Sequence, residues 1–116
     1  MSDVKLTVGG AMEDEASRQF IDAWHRGERG ETFHERHLAF ESWEALARVL
    51  TGKRMELLHY VRRNNVTSVR ALAKALSRDY SNVHADVKAL AGAGLLNASS
   101  KGVRADYDAI ETRIAI

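Results

Sequence analysis

The stretch that most constrains the fold covers residues 68–96 and reads SVRALAKALSRDYSNVHADVKALAGAGLL. Apolar residues recur at helical spacing on both sides of a short polar segment around Arg78, which predicts two amphipathic helices joined by a tight turn. Ser68 is placed to cap the first helix, and Gly94 is placed to end the second in the left-handed conformation. This order of elements is typical of a helix-turn-helix, whose second helix enters the major groove of DNA.

The segments before this stretch predict a strand and further helices. Alternating apolar residues over 4–8 predict a short strand, and the apolar stripe of residues 12–28 predicts a helix. Residues 27–40 are polar with little periodicity, and we interpret them as a connector. Ser42 and Thr51 are placed to cap two more helices, which begin at residue 43 and at about residue 53.

The segments after it predict a small amount of β-structure. Residues 97–107 predict a hairpin with its turn at 100–102, and residues 110–116 predict a final strand. The expected fold class is therefore mainly α (α+β). It consists of a winged helix-turn-helix domain over 40–116 with a β-hairpin wing, preceded by a strand-and-helix extension over 1–39 that serves dimerisation or partner binding.

The charge of the chain is distributed unevenly, although its net value is only +1. Residues 1–50 hold 6 basic and 10 acidic side chains, whereas residues 51–104 hold 10 basic and 3 acidic ones. Residues 105–116 carry a net charge of −2. A basic middle between acidic ends indicates a module that binds a polyanion, flanked by interaction segments.

Other classes of protein lack support in the sequence. Cysteine is absent, and no run of about 18 apolar residues is long enough to span a membrane. The N-terminus lacks the features of a signal peptide, so we expect a cytoplasmic protein without a membrane partner. No nucleophile motif, phosphate-binding loop or carboxylate pair stands out, and we expect neither an enzyme nor a cofactor. His34 and His37 have a metal-like spacing, but they lie in the predicted connector without clear further ligands, so we expect no metal.

The second helix of the helix-turn-helix carries side chains suited to reading bases. With Val83 and Val87 on its buried side, small and polar residues fall on the opposite side. Asn82 can pair bidentately with adenine, and Ala85 can touch a thymine methyl group. The amides at the start of this helix are expected to face a phosphate. The residues expected to contact DNA are Ser68, Arg70, Arg78, Tyr80, Ser81, Asn82, Ala85, Lys88, Lys101 and Arg104.

Residues 54–96, from RMELLHYVRR to GAGLL, resemble the core of MarR-like winged-helix proteins, particularly small predicted transcriptional regulators of bacteria and archaea. The resemblance extends over about residues 40–107. The residues that carry it are Phe40-Glu41, Leu50-Thr51, Lys53-Arg54, Leu72-Ala73, Arg78-Asp79-Tyr80, Asn82-Val83, Asp86-Val87, Leu90 and Gly94-Leu95-Leu96. It implies a winged helix, sequence-specific binding of double-stranded DNA and a homodimer.

Two functions remain open at this point. The first is a transcriptional regulator, most simply a repressor of its own operon, which blocks a promoter by occupying it. The second is an antitoxin that binds a toxin encoded nearby through its acidic N-terminal region and also represses its operon; some proteins that the chain resembles are similar to antitoxins. A winged-helix module for protein interaction alone is disfavoured by the basic charge of residues 51–104.

Overall fold

The computed structural model of the chain describes residues 3–9 and 35–116. These residues form five strands and four helices, so the fold is mixed α and β, as the sequence predicts. The elements follow one another as β1 (Asp3–Val8), β2 (Glu35–Phe40), α1 (Trp43–Val49), α2 (Gly52–Arg63), α3 (Val69–Ala75), α4 (Tyr80–Gly92), β3 (Asn97–Ser99), β4 (Gly102–Arg104) and β5 (Ala109–Ile114).

The contacts within the chain divide these elements into two units. One unit contains the described residues up to 46 together with residues 107–116, and the other contains residues 47–106. We predicted one boundary, between residues 39 and 40. The division lies elsewhere because β5, from the C-terminal end, pairs with β1 near the N-terminal end. The helix-turn-helix stretch and the hairpin lie together in the second unit.

The first unit is built on a parallel sheet of three strands in the order β2-β1-β5. Val4, Leu6 and Val8 are 1–2% exposed on one face of the central strand β1, as the alternation in the sequence predicts. Thr7, which points to the opposite face, is buried as well. A strand that is paired on both sides and has one fully buried face forms the centre of this unit.

The prediction of a connector over residues 27–40 is wrong for residues 35–40, which form β2. This segment has no local pattern that favours a strand, and its extended conformation depends on the ladder that it makes with β1. The ladder ends at Gly9, which adopts a positive φ of 71° and whose N–H donates to the carbonyl of Phe40 at 3.1 Å. The helix predicted over residues 12–28 lies outside the described residues.

The helices of the second unit begin where the capping residues predict. The hydroxyl of Thr51 accepts a hydrogen bond from the Arg54 N–H at the start of α2. Ser68 caps α3 in the same way, accepting from Ala71 N–H at 3.0 Å. These short local interactions satisfy N–H groups that a helix leaves without partners in its first turn, and they set the start of each helix independently of the rest of the chain.

Large aliphatic side chains from four segments form the core of the second unit. Leu57 of α2, Leu72 of α3, Val83 and Leu90 of α4, and Leu95 beyond α4 are each at most 1% exposed. Burial of each such side chain contributes about 1.5–3 kcal/mol of hydrophobic free energy. Because α4 places Val83, Val87 and Leu90 in this core, its rotation about its own axis is fixed.

The hairpin of β3 and β4 is attached to the segment between α2 and α3. The strands pair antiparallel, and Val103 of β4 also pairs with Val66, whose carbonyl accepts from Val103 N–H at 3.0 Å. Gly102 has a φ of 125°, and a Cβ atom at this position would lie 2.1 Å from the carbonyl oxygen of Val66. The hairpin can therefore approach this backbone only with glycine at position 102.

We predict that Gly102→Ala destabilises the fold by about 2 kcal/mol or more, because it combines a backbone clash with a conformation that alanine rarely adopts. Urea denaturation followed by circular dichroism measures the loss. Gly92→Ala is the matched control: a Cβ at this helical position meets nothing within 4 Å, and its stability should stay equal or rise slightly. Equal stability of Gly102→Ala and the unmodified protein would contradict the close approach.

Candidate nucleic-acid interface

The turn between α3 and α4 is built by the same C-terminal motif that ends α4. After α3, Ser77 adopts a φ of 53° and Arg78 N–H donates to the Ala73 carbonyl at 3.0 Å. After α4, Gly94 has a φ of 85° and Leu95 N–H donates to the Leu90 carbonyl at 2.8 Å. Both are Schellman motifs, and the sequence indicated only the one with glycine. The first motif redirects the chain into α4 within four residues.

One side of α4 is exposed and carries most of the side chains predicted to read bases. Ser81, Asn82, Ala85 and Lys88 are exposed on the side opposite the buried stripe, and Tyr80, at the edge of that stripe, is exposed as well. Because residue 85 is alanine, no long side chain projects at this position, and a large group could approach the helix backbone. The structure thus brings four of the predicted residues, Ser81, Asn82, Ala85 and Lys88, together on one side of α4.

The sequence predicts that the amides at the N-terminus of α4 face a phosphate, but two of them bind a side chain of the protein instead. The carboxylate of Asp79 caps the helix, accepting from the N–H groups of Ser81 and Asn82 at 3.1 and 3.3 Å. It also accepts from the Ser81 hydroxyl at 2.9 Å. These bonds, that from the Ser81 side chain first, lower the pKa of Asp79. The amides are therefore occupied by an anion of the chain itself, and Ser81 orients that cap.

Arg78, which the sequence predicts to contact DNA, makes an ion pair within the chain. Its Nη2 donates to Oδ2 of Asp86 at 2.8 Å, while Nε of Arg54 donates to Oδ1 of the same carboxylate at 3.0 Å. The three side chains are only 14–20% exposed. Asp86, on α4, therefore connects α4 both to α2 and to the turn before it.

Arg54 also binds the end of α1. Its Nη1 donates to the carbonyls of Arg48 and Val49 at 2.8 and 3.1 Å. These are among the carbonyls that a helix leaves without partners at its C-terminus. Sequence reasoning missed this cluster because Arg54 and Asp86 are separated by 32 positions and no local spacing relates them. The one available signal was Asp86 as the lone acidic residue within the helix 80–92.

A second cluster lies on the exposed surface where α3 and α4 meet. The guanidinium of Arg70 lies 4.7 Å from the centre of the Tyr80 ring, in cation–π geometry. The ring of His84, one turn further along α4, lies 5.8 Å from that of Tyr80. Tyr80 remains 41% exposed. The contact orders a cationic and an aromatic side chain at the surface, next to the exposed cap residue Ser68.

The hairpin places its two predicted basic contacts at the surface. Lys101, in the turn, and Arg104, at the end of β4, are both exposed. The turn is ordered by the Ser99 hydroxyl, which accepts from Lys101 N–H at 3.2 Å. Between α3, α4 and β3 lies an open groove of about 360 Å³, lined by Val69, His84, Val87, Lys88, Ala91 and Ala98.

Metal binding and membrane insertion gain no support from the part of the chain that the structure describes. No group of three potential ligands is found there. His37 lies in β2 and is half-buried, whereas His34 lies outside the described residues. Within residues 3–9 and 35–116, no helix combines the length and apolar character needed to cross a bilayer.

Comparison with known proteins gives one family. The family model described as HVO_A0114 matches residues 49–112, which is more than half of the chain and includes α2, α3, α4, the hairpin and much of β5. No curated protein and no solved structure matches the chain.

We predict that Asp86→Asn destabilises the protein by about 2 kcal/mol, because two half-buried guanidinium groups lose their shared counter-charge. Chemical denaturation gives this value. Asp106→Asn is the control, since Asp106 is exposed in the same unit, and it should change stability by less than about 0.5 kcal/mol. An Asp86→Asn protein as stable as the control would show that the cluster does not hold α4 in place.

Proposed function

The chain belongs to the HVO_A0114 family, and we propose that it is a winged helix-turn-helix protein that binds double-stranded DNA and regulates transcription. The single observation that carries this proposal is the exposed face of α4, which bears polar and basic side chains beside an exposed basic hairpin. In this account α4 reads bases in the major groove, and the hairpin contacts the DNA backbone.

The order of elements in the second unit supports the winged-helix assignment. Helix α2 is followed by an extended residue, Val66, then by α3, α4 and the hairpin of β3 and β4. Val66 pairs with Val103 as a third, minimal strand of the hairpin sheet. A helix, a short strand, two helices and a two-stranded wing are the parts of a winged helix in their usual order. The pairing of Val66 with Val103 thereby joins the wing to the core on which α4 packs.

The charge of this unit supports a polyanionic partner. Residues 51–104 carry a net charge of +7, and one of their three acidic residues, Asp86, is neutralised by two arginines. The exposed cations Arg70, Lys88, Lys101 and Arg104 belong to α3, α4 and the hairpin. Such a surface binds any duplex through phosphate contacts, and base contacts then select the sequence.

We assign the predicted contacts to different tasks. Asn82 and Ala85 read base edges, and Lys88 reaches a guanine or a phosphate. Tyr80, Arg70 and the Ser68 hydroxyl contact phosphates on one side, and Lys101 and Arg104 do so from the wing. Arg78 and Ser81 act as positioning residues, because each is bound to an aspartate of the chain.

Repression is the regulatory mode that requires least of this small chain. A homodimer covering a promoter blocks polymerase sterically, and a single reading helix offers too few base contacts to select a site by itself. Two copies read two half-sites about one helical turn apart. Among the described strands, β1 is paired on both sides within the chain, whereas β5 lies at a sheet edge.

We predict that Lys101→Ala weakens binding to every duplex and reduces the slope of log K against log salt by about one, since one phosphate contact is lost. Asn82→Ala should instead lose about 1–3 kcal/mol of discrimination at one base pair. Fluorescence anisotropy measures both effects, with a duplex selected from a random library by the unmodified protein and with a scrambled duplex.

Lys53→Ala is the matched control for lost positive charge, because Lys53 is exposed in the first turn of α2 and belongs to neither α4 nor the hairpin. It should bind both duplexes nearly as the unmodified protein does. Equal losses on selected and scrambled DNA for Asn82→Ala would contradict its reading role. Absence of duplex binding at low salt by the unmodified protein would contradict the function itself.

A further inference from the structure

Strand β5 has an outer edge that no other strand among the described residues occupies. In the sheet order β2-β1-β5 its inner side is paired with β1. Its side chains are exposed apart from half-buried Ile110, and Ile114 is 47% exposed. An open edge of this kind presents N–H and C=O groups to any extended chain. We propose that β5 pairs antiparallel with β5 of a second copy of this chain, forming a six-stranded sheet across a two-fold axis.

The hydrogen bonds of the sheet fix which residues of β5 point outward. Ala115 N–H donates to the carbonyl of Val8 in β1 at 3.0 Å. Because backbone groups of alternate residues in a strand point to the same side, the odd-numbered residues of β5 direct theirs toward β1. Ile110, Thr112 and Ile114 then direct their N–H and C=O groups outward. A pairing of β5 with its copy must therefore match even-numbered residues with even-numbered ones.

Three pairings near the middle of β5 satisfy this condition. They differ in which side chains they place opposite each other. A pairing centred on Glu111 sets two glutamates opposite each other, and one centred on Arg113 sets two arginines opposite each other. In the pairing centred on Thr112, Glu111 faces the partner's Arg113 and Arg113 faces the partner's Glu111. Opposite charges across strands stabilise a sheet, and like charges destabilise it. The order Ile-Glu-Thr-Arg-Ile thus favours the register centred on Thr112.

The same register also matches the other face of the sheet. Ile110 faces the partner's Ile114, and Thr112 faces the partner's Thr112, both of which are favourable cross-strand pairs. On the charged face, Lys5 of β1 contacts Glu111 at 3.3 Å, so the carboxylate lies between Lys5 and the partner's Arg113. Positive and negative side chains therefore alternate across the proposed interface.

The opposite edge of the sheet lacks this complementarity. In β2, the Gly9–Phe40 hydrogen bond directs the even-numbered residues toward β1. In the three central registers of β2 with its own copy, Arg36 is opposite Arg36, Leu38 or Phe40, and never opposite an acidic residue. The two-fold pairing thus fits β5 and not β2. It also closes on itself, because each copy uses the same strand, which yields a dimer and not a filament.

The interface deepens the dimer of the proposed function, but it is tested on the full chain without DNA. Sedimentation equilibrium gives the dimer dissociation constant for the unmodified protein, Glu111→Arg, Arg113→Glu and the double variant. Each single reversal should raise this constant about tenfold, because it creates two like-charge pairs. The double variant restores opposite charges across the interface and should bind more tightly than either single variant, although it still lacks the contact between Lys5 and Glu111. Glu44→Arg, an exposed charge reversal on α1, serves as control and should not alter the constant.

Thr112→Pro provides a second test of the interface, and it leaves the charges unchanged. It removes an outward N–H while sparing the bonds to β1, and it should also favour the monomer. A monomeric unmodified protein, or single reversals that dimerise as well as the double variant, would overturn the proposed interface. DNA binding that retained the Lys101 and Asn82 effects would then still support the proposed function, so the two failures are distinguishable.

Discussion

The position of α4 depends on the ion pairs that the carboxylate of Asp86 makes with two arginines. One oxygen binds Arg54 of α2 and the other binds Arg78 in the turn before α4. Arg54 continues to the last carbonyls of α1, so a single acidic side chain connects two helices, a helix end and a turn. Hydrophobic packing of Val83 and Leu90 fixes which side of α4 is buried, and this directional network restrains how α4 lies against α2. The polar side facing outward is a consequence of both.

This arrangement explains why a basic segment keeps acidic residues within its candidate interface. Asp79 and Asp86 lower the positive charge of the surface, yet each organises groups around it. Asp79 occupies two amides and a hydroxyl at the start of α4, and Asp86 binds two guanidinium groups. In the proposed function, Asn82 and Lys88 contact DNA from a helix whose start is defined by a local cap and whose position is restrained by Asp86. Pre-ordering of this kind reduces the entropy that binding must overcome.

The sequence predicts the four described helices because their ends are determined locally. Thr51, Ser68 and Gly94 act within one turn of their own positions, and the predicted helix over residues 80–92 has the observed bounds. Strand β2 was missed because it exists through its pairing with β1, far away in the sequence. Likewise, the sequence does not predict the ion pairs of Arg78 and Arg54 with Asp86, because no local spacing relates these residues. The exposure of Asn82, Lys88, Lys101 and Arg104 agrees with the sequence pattern, since helical periodicity and turn chemistry determine exposure there.

In the proposed mode of binding, DNA contacts the face made by α3, α4 and the hairpin. The most direct test is a titration of the ¹⁵N-labelled protein with a short duplex, followed by backbone amide shifts in NMR spectra. We expect the shifted amides to cluster around residues 68–70, 80–88 and 101–104, and the signals of β1 and β2 to stay unchanged. Shifts concentrated in β1 and β2, or no shifts at low salt, would contradict this mode of binding.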